Sequence, residues 1–141
     1  MTEISCFYIG DLKCNSIHLS SGEELLTDAP LDHYGKGENF SPTDLLATSL
    51  GTCLLTIMAI KARNEGWEIK NMNLKIKKMM TENTNRKIKE LIIDIFLPTN
   101  FSKSKRDFLI NAADQCPVTK SLSSSIAIKL NWHFQNPIVY S

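Results

Sequence analysis

The chain has 141 residues, 43% of them hydrophobic, enough for one buried core and most simply a single domain spanning 1–141. Sixteen basic against fifteen acidic residues leave a net charge of +1, with no basic block or aromatic-basic interleaving. Nucleic acid therefore has no electrostatic footprint here, and a small or apolar partner fits better.

The opening MTEISCFYIGDLK has no basic region followed by an apolar run and a cleavage site, which predicts a cytoplasmic protein without a signal peptide. Residues 3–10 and 14–20 read as two short strands around Gly10-Asp11, and Glu23 to Asp28 as a third. Cys6 and Cys14 on these strands are expected to be small buried or half-buried thiols. From Ala29-Pro30 to Phe40, with Gly35 and Gly37, the chain reads as a loop. His18 and His33 are isolated from other ligand types, so a metal site is not expected.

Ser41 to Gly66 dominates the sequence. Ser41 can cap free backbone N–H groups, Pro42 suits the first helical position, and Asp44 completes a capping-box arrangement. From Leu45 to Ile60 there is no charge, and apolar residues point in nearly every direction on a helical wheel, as in a buried central helix. The segment is short and rich in Ser and Thr for a membrane span, and no membrane partner is expected. Lys61, Arg63 and Gly66 mark its end near Asn64 or Glu65. Gly51 costs about 1 kcal/mol relative to Ala in a helix, which points to close packing or to room for a ligand near Cys53.

Beyond Gly66 the hydrophobic period becomes two. Met72, Leu74 and Ile76, a polar turn at Thr81 to Asn85, and then Leu91, Ile93, Ile95 and Leu97 predict a long hairpin. Its second strand is apolar on both faces and should lie more centrally. Lys75, Lys77 and Lys78 read as the wet face of the first. A second helix is expected from Ser102 or Ser104 to about Gln115, and Pro117 then opens another short one through Ser121-Leu122. The last strand carries Ile126, Ile128, Leu130, Trp132 and Phe134 on one face, with His133 facing solvent. The order predicts an α+β domain with a mostly antiparallel sheet.

Two cysteines have chemical potential. Cys116 lies at a helix N-terminus, where exposed N–H groups can stabilise a thiolate. Cys53 lies in mid-helix, where the macrodipole gives little help; it reads either as core packing or as a nucleophile activated by a cation or donor from another element or subunit. Asp44 is nine residues away, roughly 13 Å along a straight helix.

Ser41-Pro42-Thr43-Asp44-Leu45-Leu46, with Cys53 eleven residues after the proline, and Cys116-Pro117-Val118-Thr119-Lys120-Ser121-Leu122 resemble the paired signatures of the OsmC/Ohr proteins, the osmotically inducible and organic hydroperoxide resistance group. Asp28-Ala29-Pro30 is similar too, and the resemblance covers essentially the whole chain. It implies an OsmC-like fold, an intertwined homodimer with sites at the subunit interface, and a peroxidase acting on small apolar hydroperoxides without a bound cofactor. Cys53 would attack the O–O bond and become a sulfenic acid, Cys116 would resolve it as a disulfide, and an external dithiol reductant would restore both thiols.

The chain departs from the family pattern at two points. Peroxidases of the group carry a glutamate after the motif proline, where this chain has Thr43, and an arginine from the N-terminal strands, where residues 1–40 contain none. Thr43, Asp44 and Lys13 are the nearest groups that could activate or support the thiolate, which marks a divergent branch. The alternative from another class is a non-enzymatic dimer of the same fold that binds a small acyl or thiol ligand or senses redox state.

Overall fold

The computed structural model describes residues 1–134; residues 135–141 of the expected domain lie outside them. The element order is β1 (Ile4–Gly10), β2 (Lys13–His18), β3 (Glu24–Asp28), α1 (Pro42–Asn64), β4 (Asn73–Met80), β5 (Ile88–Leu97), α2 (Lys103–Ala113), α3 (Pro117–Ser121) and β6 (Ala127–Phe134). Every expected helix and strand is present, within a few residues of its expected ends. The strands form two three-stranded sheets, β1-β2-β3 and β4-β5-β6. Three of the four pairings are antiparallel, and β6 runs parallel to β5. The chain divides into two compact units, Met1–Leu46 and the residues from Ala47 onward.

In the first unit, β1 and β2 turn at Asp11 and Leu12, both with positive φ (54° and 59°), the backbone that suits the twist of a tight hairpin. The sheet carries exposed apolar side chains on both faces: Ile4 and Tyr8 alternate with Phe7 and Ile9 along β1, and Leu25 and Leu26 follow on β3. Cys6 is exposed, contrary to expectation, and its Sγ accepts a hydrogen bond from Ser16 Oγ at 3.3 Å; Cys14 is half-buried. Ile4, Phe7, Tyr8 and Ile9 along the same strand are exposed as well.

Asp28 is buried in this unit, as are Thr27 and Ser41. Asp28 Oδ2 accepts from the Glu38 backbone N–H at 3.0 Å and from Lys13 Nζ at 3.2 Å, while Lys13 also meets Glu38 Oε2 at 2.8 Å. These contacts, with Asp28 N–H donating to the Phe40 carbonyl at 3.1 Å, tie the loop of residues 29–40 to β2 and β3. Gly35 is needed in that loop because a Cβ there would fall on the Ala29 carbonyl.

In the second unit, α1 lies against β4. Its buried stripe is Ala47, Leu50, Gly51, Leu54, Met58 and Ala62, spaced as one helical face. A Cβ on Gly51 would come within 2.5 Å of Ile76 Cδ1 and 3.0 Å of Leu74 Cδ1, so this glycine serves close packing and not ligand space. Leu91, Ile93, Ile95 and Leu97 of β5 are fully buried, and β5 is the central strand, as its two apolar faces predict. Leu109, Ala112 and Ala113 of α2 complete the core.

Three expectations change here. By length and mean hydropathy (1.7) α1 meets the requirements of a membrane-crossing helix, against the sequence-based exclusion; its packing on β4 accounts for that apolarity. Nor is it enclosed all round, because Ser49, Thr52, Thr56 and Ile60 are exposed on the side away from the stripe. His133 is also not simply solvent-facing: its Nε2 lies 2.9 Å from Asp94 Oδ1 and its ring stacks on Phe96 at 4.8 Å. The parallel register of β6 on β5 brings those residues side by side.

Gly51→Leu overpacks the α1–β4 contact, and unfolding in urea should show a lower midpoint corresponding to a loss of about 1–3 kcal/mol of stability. The Asp28 carboxyl is held below the usual range, first by the Glu38 backbone N–H and then by Lys13, against the opposing effect of burial. Lys13 is raised, first by Glu38 and then, against desolvation, by Asp28. Stability from Asp28 is present above its unfolded value of about 3.9 and is lost as pH falls through the lower folded value. Stability from Lys13 is present below about 10.4 and is lost as pH rises through its higher folded value. Amide protection in the loop of residues 29–40 should therefore be flat through neutral pH and fall beyond either limit. Lys13→Met should lower it at neutral pH and remove the alkaline limb.

Candidate functional site

Cys53 and Cys116 are brought together in the second unit. Cys53 comes from the middle of α1, and Cys116 caps α3, with Pro117 at the first helical position where a missing N–H costs nothing. The two thiols are within hydrogen-bonding reach, Cys53 donating to the Cys116 sulfur. Cys116 Sγ also accepts from the Thr119 backbone N–H at 3.5 Å, as an N-cap side chain does.

Exposure separates the two sulfurs. Cys116 has 0% of its surface accessible, whereas Cys53 is half-buried and lines an apolar groove of about 350 Å³ with Ser49, Thr52, Thr56, Ile57, Ile60 and Pro117. Thr56, Ile57 and Ile60 follow Cys53 at helical spacings of three, four and seven, so one face of α1 forms most of the wall. Thr52 has its hydroxyl satisfied by the Thr48 carbonyl at 2.8 Å, which leaves its methyl as the available surface.

The electrostatics of the pair follow from these contacts. Burial raises the Cys53 thiol most, donation to Cys116 raises it further, and the Val118 N–H opposes both. Burial also pushes Cys116 upward, but hydrogen bonds from Cys53, the Thr119 hydroxyl and the Thr119 and Val118 N–H groups together outweigh it, and its pKa is lowered.

The other anticipated residues lie in the first unit. The capping box forms in both directions, Asp44 N–H donating to Ser41 Oγ at 3.1 Å and Ser41 N–H to Asp44 Oδ2 at 2.9 Å. Thr43 Oγ1 lies 3.3 Å from Ser41 Oγ, and Lys13 is bound to Asp28 and Glu38. Among the four influences acting on Cys53 no lysine, arginine, aspartate or glutamate side chain figures. Thr119, Val118 and the groove residues were not anticipated from sequence. Their signals were present: Thr119 is three residues past a helix-capping cysteine, and the groove residues share the helical face of Cys53. No group of three or more His, Cys, Asp or Glu among the described residues could hold a metal ion.

The model of OsmC-like proteins matches residues 35–131. A crystal structure from Psychrobacter arcticus 273-4, named for osmotic stress induction and a detoxification response, shares 42% identity and covers 94% of this chain and 96% of its own, at a TM-score of 0.87. An OsmC-like protein of Mycoplasma pneumoniae is 16% identical over 95% of this chain and 96% of its own, with a TM-score of 0.78. The organic hydroperoxide resistance protein OsmC of Legionella pneumophila is 13% identical over 94% and 96%, with a TM-score of 0.71; at such identities the last two establish the fold. Among curated protein sequences there is no match. With the family signature spanning both cysteines and the same architecture recurring along nearly the whole chain, this protein belongs to the OsmC-like family.

Proposed function

We propose that this protein is a thiol-dependent peroxidase that reduces organic hydroperoxides. The observation that carries the proposal is the meeting of the Cys53 and Cys116 thiols at an apolar groove. A groove walled by Ile57, Ile60 and Pro117 suits an alkyl or lipid hydroperoxide, whose polar end would face Cys53. Cys53 attacks the outer peroxide oxygen, giving a Cys53 sulfenic acid and an alcohol. The Cys116 sulfur then displaces water from it to form a disulfide. A small dithiol returns both thiols, and no bound cofactor takes part. The name of the Legionella pneumophila neighbour accords with this chemistry.

The working form is a homodimer, with a second copy covering the first sheet. The first sheet exposes Phe7 (53%), Ile9 (56%) and Tyr8 (68%), apolar surface of the kind that a second copy would cover. Light scattering should give twice the mass of the 15.9 kDa chain; a monomer at micromolar concentration would overturn this assembly.

Thiol counting on reduced protein tests the peroxidase chemistry. One equivalent of an organic hydroperoxide should remove two thiols per chain within seconds, peptide mapping should find the Cys53–Cys116 bridge, and Cys53→Ser should abolish the loss. Retention of all four thiols after minutes would refute peroxidase activity and favour the ligand-binding alternative.

A further inference from the structure

Among the described residues that line the groove beside Cys53, none is charged. Apart from the thiol itself, its polar side chains are three hydroxyls of α1, on Ser49, Thr52 and Thr56. Thr52 donates to the Thr48 carbonyl at 2.8 Å, and Ser49 is also engaged. The Thr56 hydroxyl makes no hydrogen bond within the described residues, and the residue is exposed on the groove face of the helix. Thr56 is therefore the hydroxyl left to meet a ligand.

Thr56 follows Cys53 by three residues, so the two are neighbours on one helical face, with Cβ atoms about 5–6 Å apart. A peroxide group fits that spacing. Its outer oxygen can lie in near-attack contact with the Cys53 sulfur, at about 3–3.5 Å, while its inner oxygen lies at hydrogen-bond distance from the Thr56 hydroxyl, about 2.7–2.8 Å. Ile57 and Ile60 follow Cys53 by four and seven residues, so an alkyl tail continues along the helix in the same direction. On the peroxidase reading above, we infer that the Thr56 hydroxyl donates a hydrogen bond to the leaving oxygen of the hydroperoxide, orienting it and stabilising the charge that develops there as the O–O bond breaks.

The step balances. A Cys53 thiolate gives an electron pair to the outer oxygen of ROOH, and the S–O bond forms as the O–O bond breaks. The outer oxygen keeps its hydrogen, so the sulfur is oxidised to sulfenic acid and the remainder of the peroxide is reduced to an alkoxide. Thr56 keeps its own proton and holds the alkoxide by the hydrogen bond. Water entering the open groove then protonates the alkoxide, and ROH leaves with hydroxide as the second product. A donor placed where charge appears only during bond breaking lowers the barrier more than it strengthens substrate binding.

The test is the rate at which the Cys53 thiol is lost in single turnover, read by rapid-quench alkylation and peptide mapping, in wild type, Thr56→Val and Thr56→Ser. Valine keeps the β-branched shape without the hydroxyl, and serine keeps the hydroxyl without the branch. With cumene hydroperoxide, Thr56→Val should be slower by on the order of 10-fold, a smaller loss than at an enclosed oxyanion site because water can enter this groove, and Thr56→Ser should retain most of the wild-type rate. With peracetic acid, whose leaving group is a weakly basic carboxylate, Thr56→Val should lose much less. A merely structural defect would slow both oxidants alike. Wild-type rates in Thr56→Val, equal slowing in both variants, or equal losses with both oxidants would overturn the donor role and leave the peroxidase reading standing. A wild-type protein whose Cys53 does not react with the hydroperoxide would instead overturn the peroxidase reading and this step with it.

Discussion

The close approach of α1 to β4 at Gly51 is the constraint on which the second unit depends. A Cβ at that position would come within 2.5 Å of Ile76 Cδ1 and 3.0 Å of Leu74 Cδ1, so those side-chain ends would have to move aside. With glycine there, one stripe of α1 from Ala47 to Ala62 is committed to the core. The remaining surface of the helix, including Cys53, is turned to the groove by the 3.6-residue period. The cost of glycine in a helix is thus offset by the position it gives the cysteine two residues later.

The chemistry of the pair is set by donors and not by formal charges. Cys116 sits where a five-residue helix begins, and the N–H groups of its first turn have no carbonyl partner within the helix. They converge on a sulfur that has lost all contact with water, where each hydrogen bond counts for more than it would at the surface. Cys53 lacks such a cradle, and its own thiol becomes one of the donors to Cys116. Burial raises both sulfurs, and the hydrogen bonds that Cys116 accepts outweigh it there.

Much of this was legible from local chemistry. The capping box at Ser41 and Asp44, proline at the first turn of two helices, and the change of period from 3.6 to two after Gly66 located α1, α3 and the β4–β5 hairpin. These signals are carried by residues within one turn or one strand of each other. Errors arose where the deciding neighbour is distant in sequence. Cys6 was expected to be buried because thiols usually are, but exposure depends on what covers β1. His133 was placed in solvent because it alternates with apolar residues, but the parallel register of β6 sets it beside Asp94 and Phe96.

The sequence by itself determined the elements, their order, the family signature and the two cysteines worth attention, because capping, propensity and periodicity act over a few residues. Tertiary structure alone decided that the strands divide into two sheets, that Gly51 serves packing, and that Lys13 is held by Asp28 and Glu38. It also decided the direction in which each thiol pKa moves, Cys53 upward and Cys116 downward. Ionisation depends on burial and on the donors that gather round a group, and those at Cys116 come from both α1 and α3, elements separated in the chain by a complete hairpin and another helix.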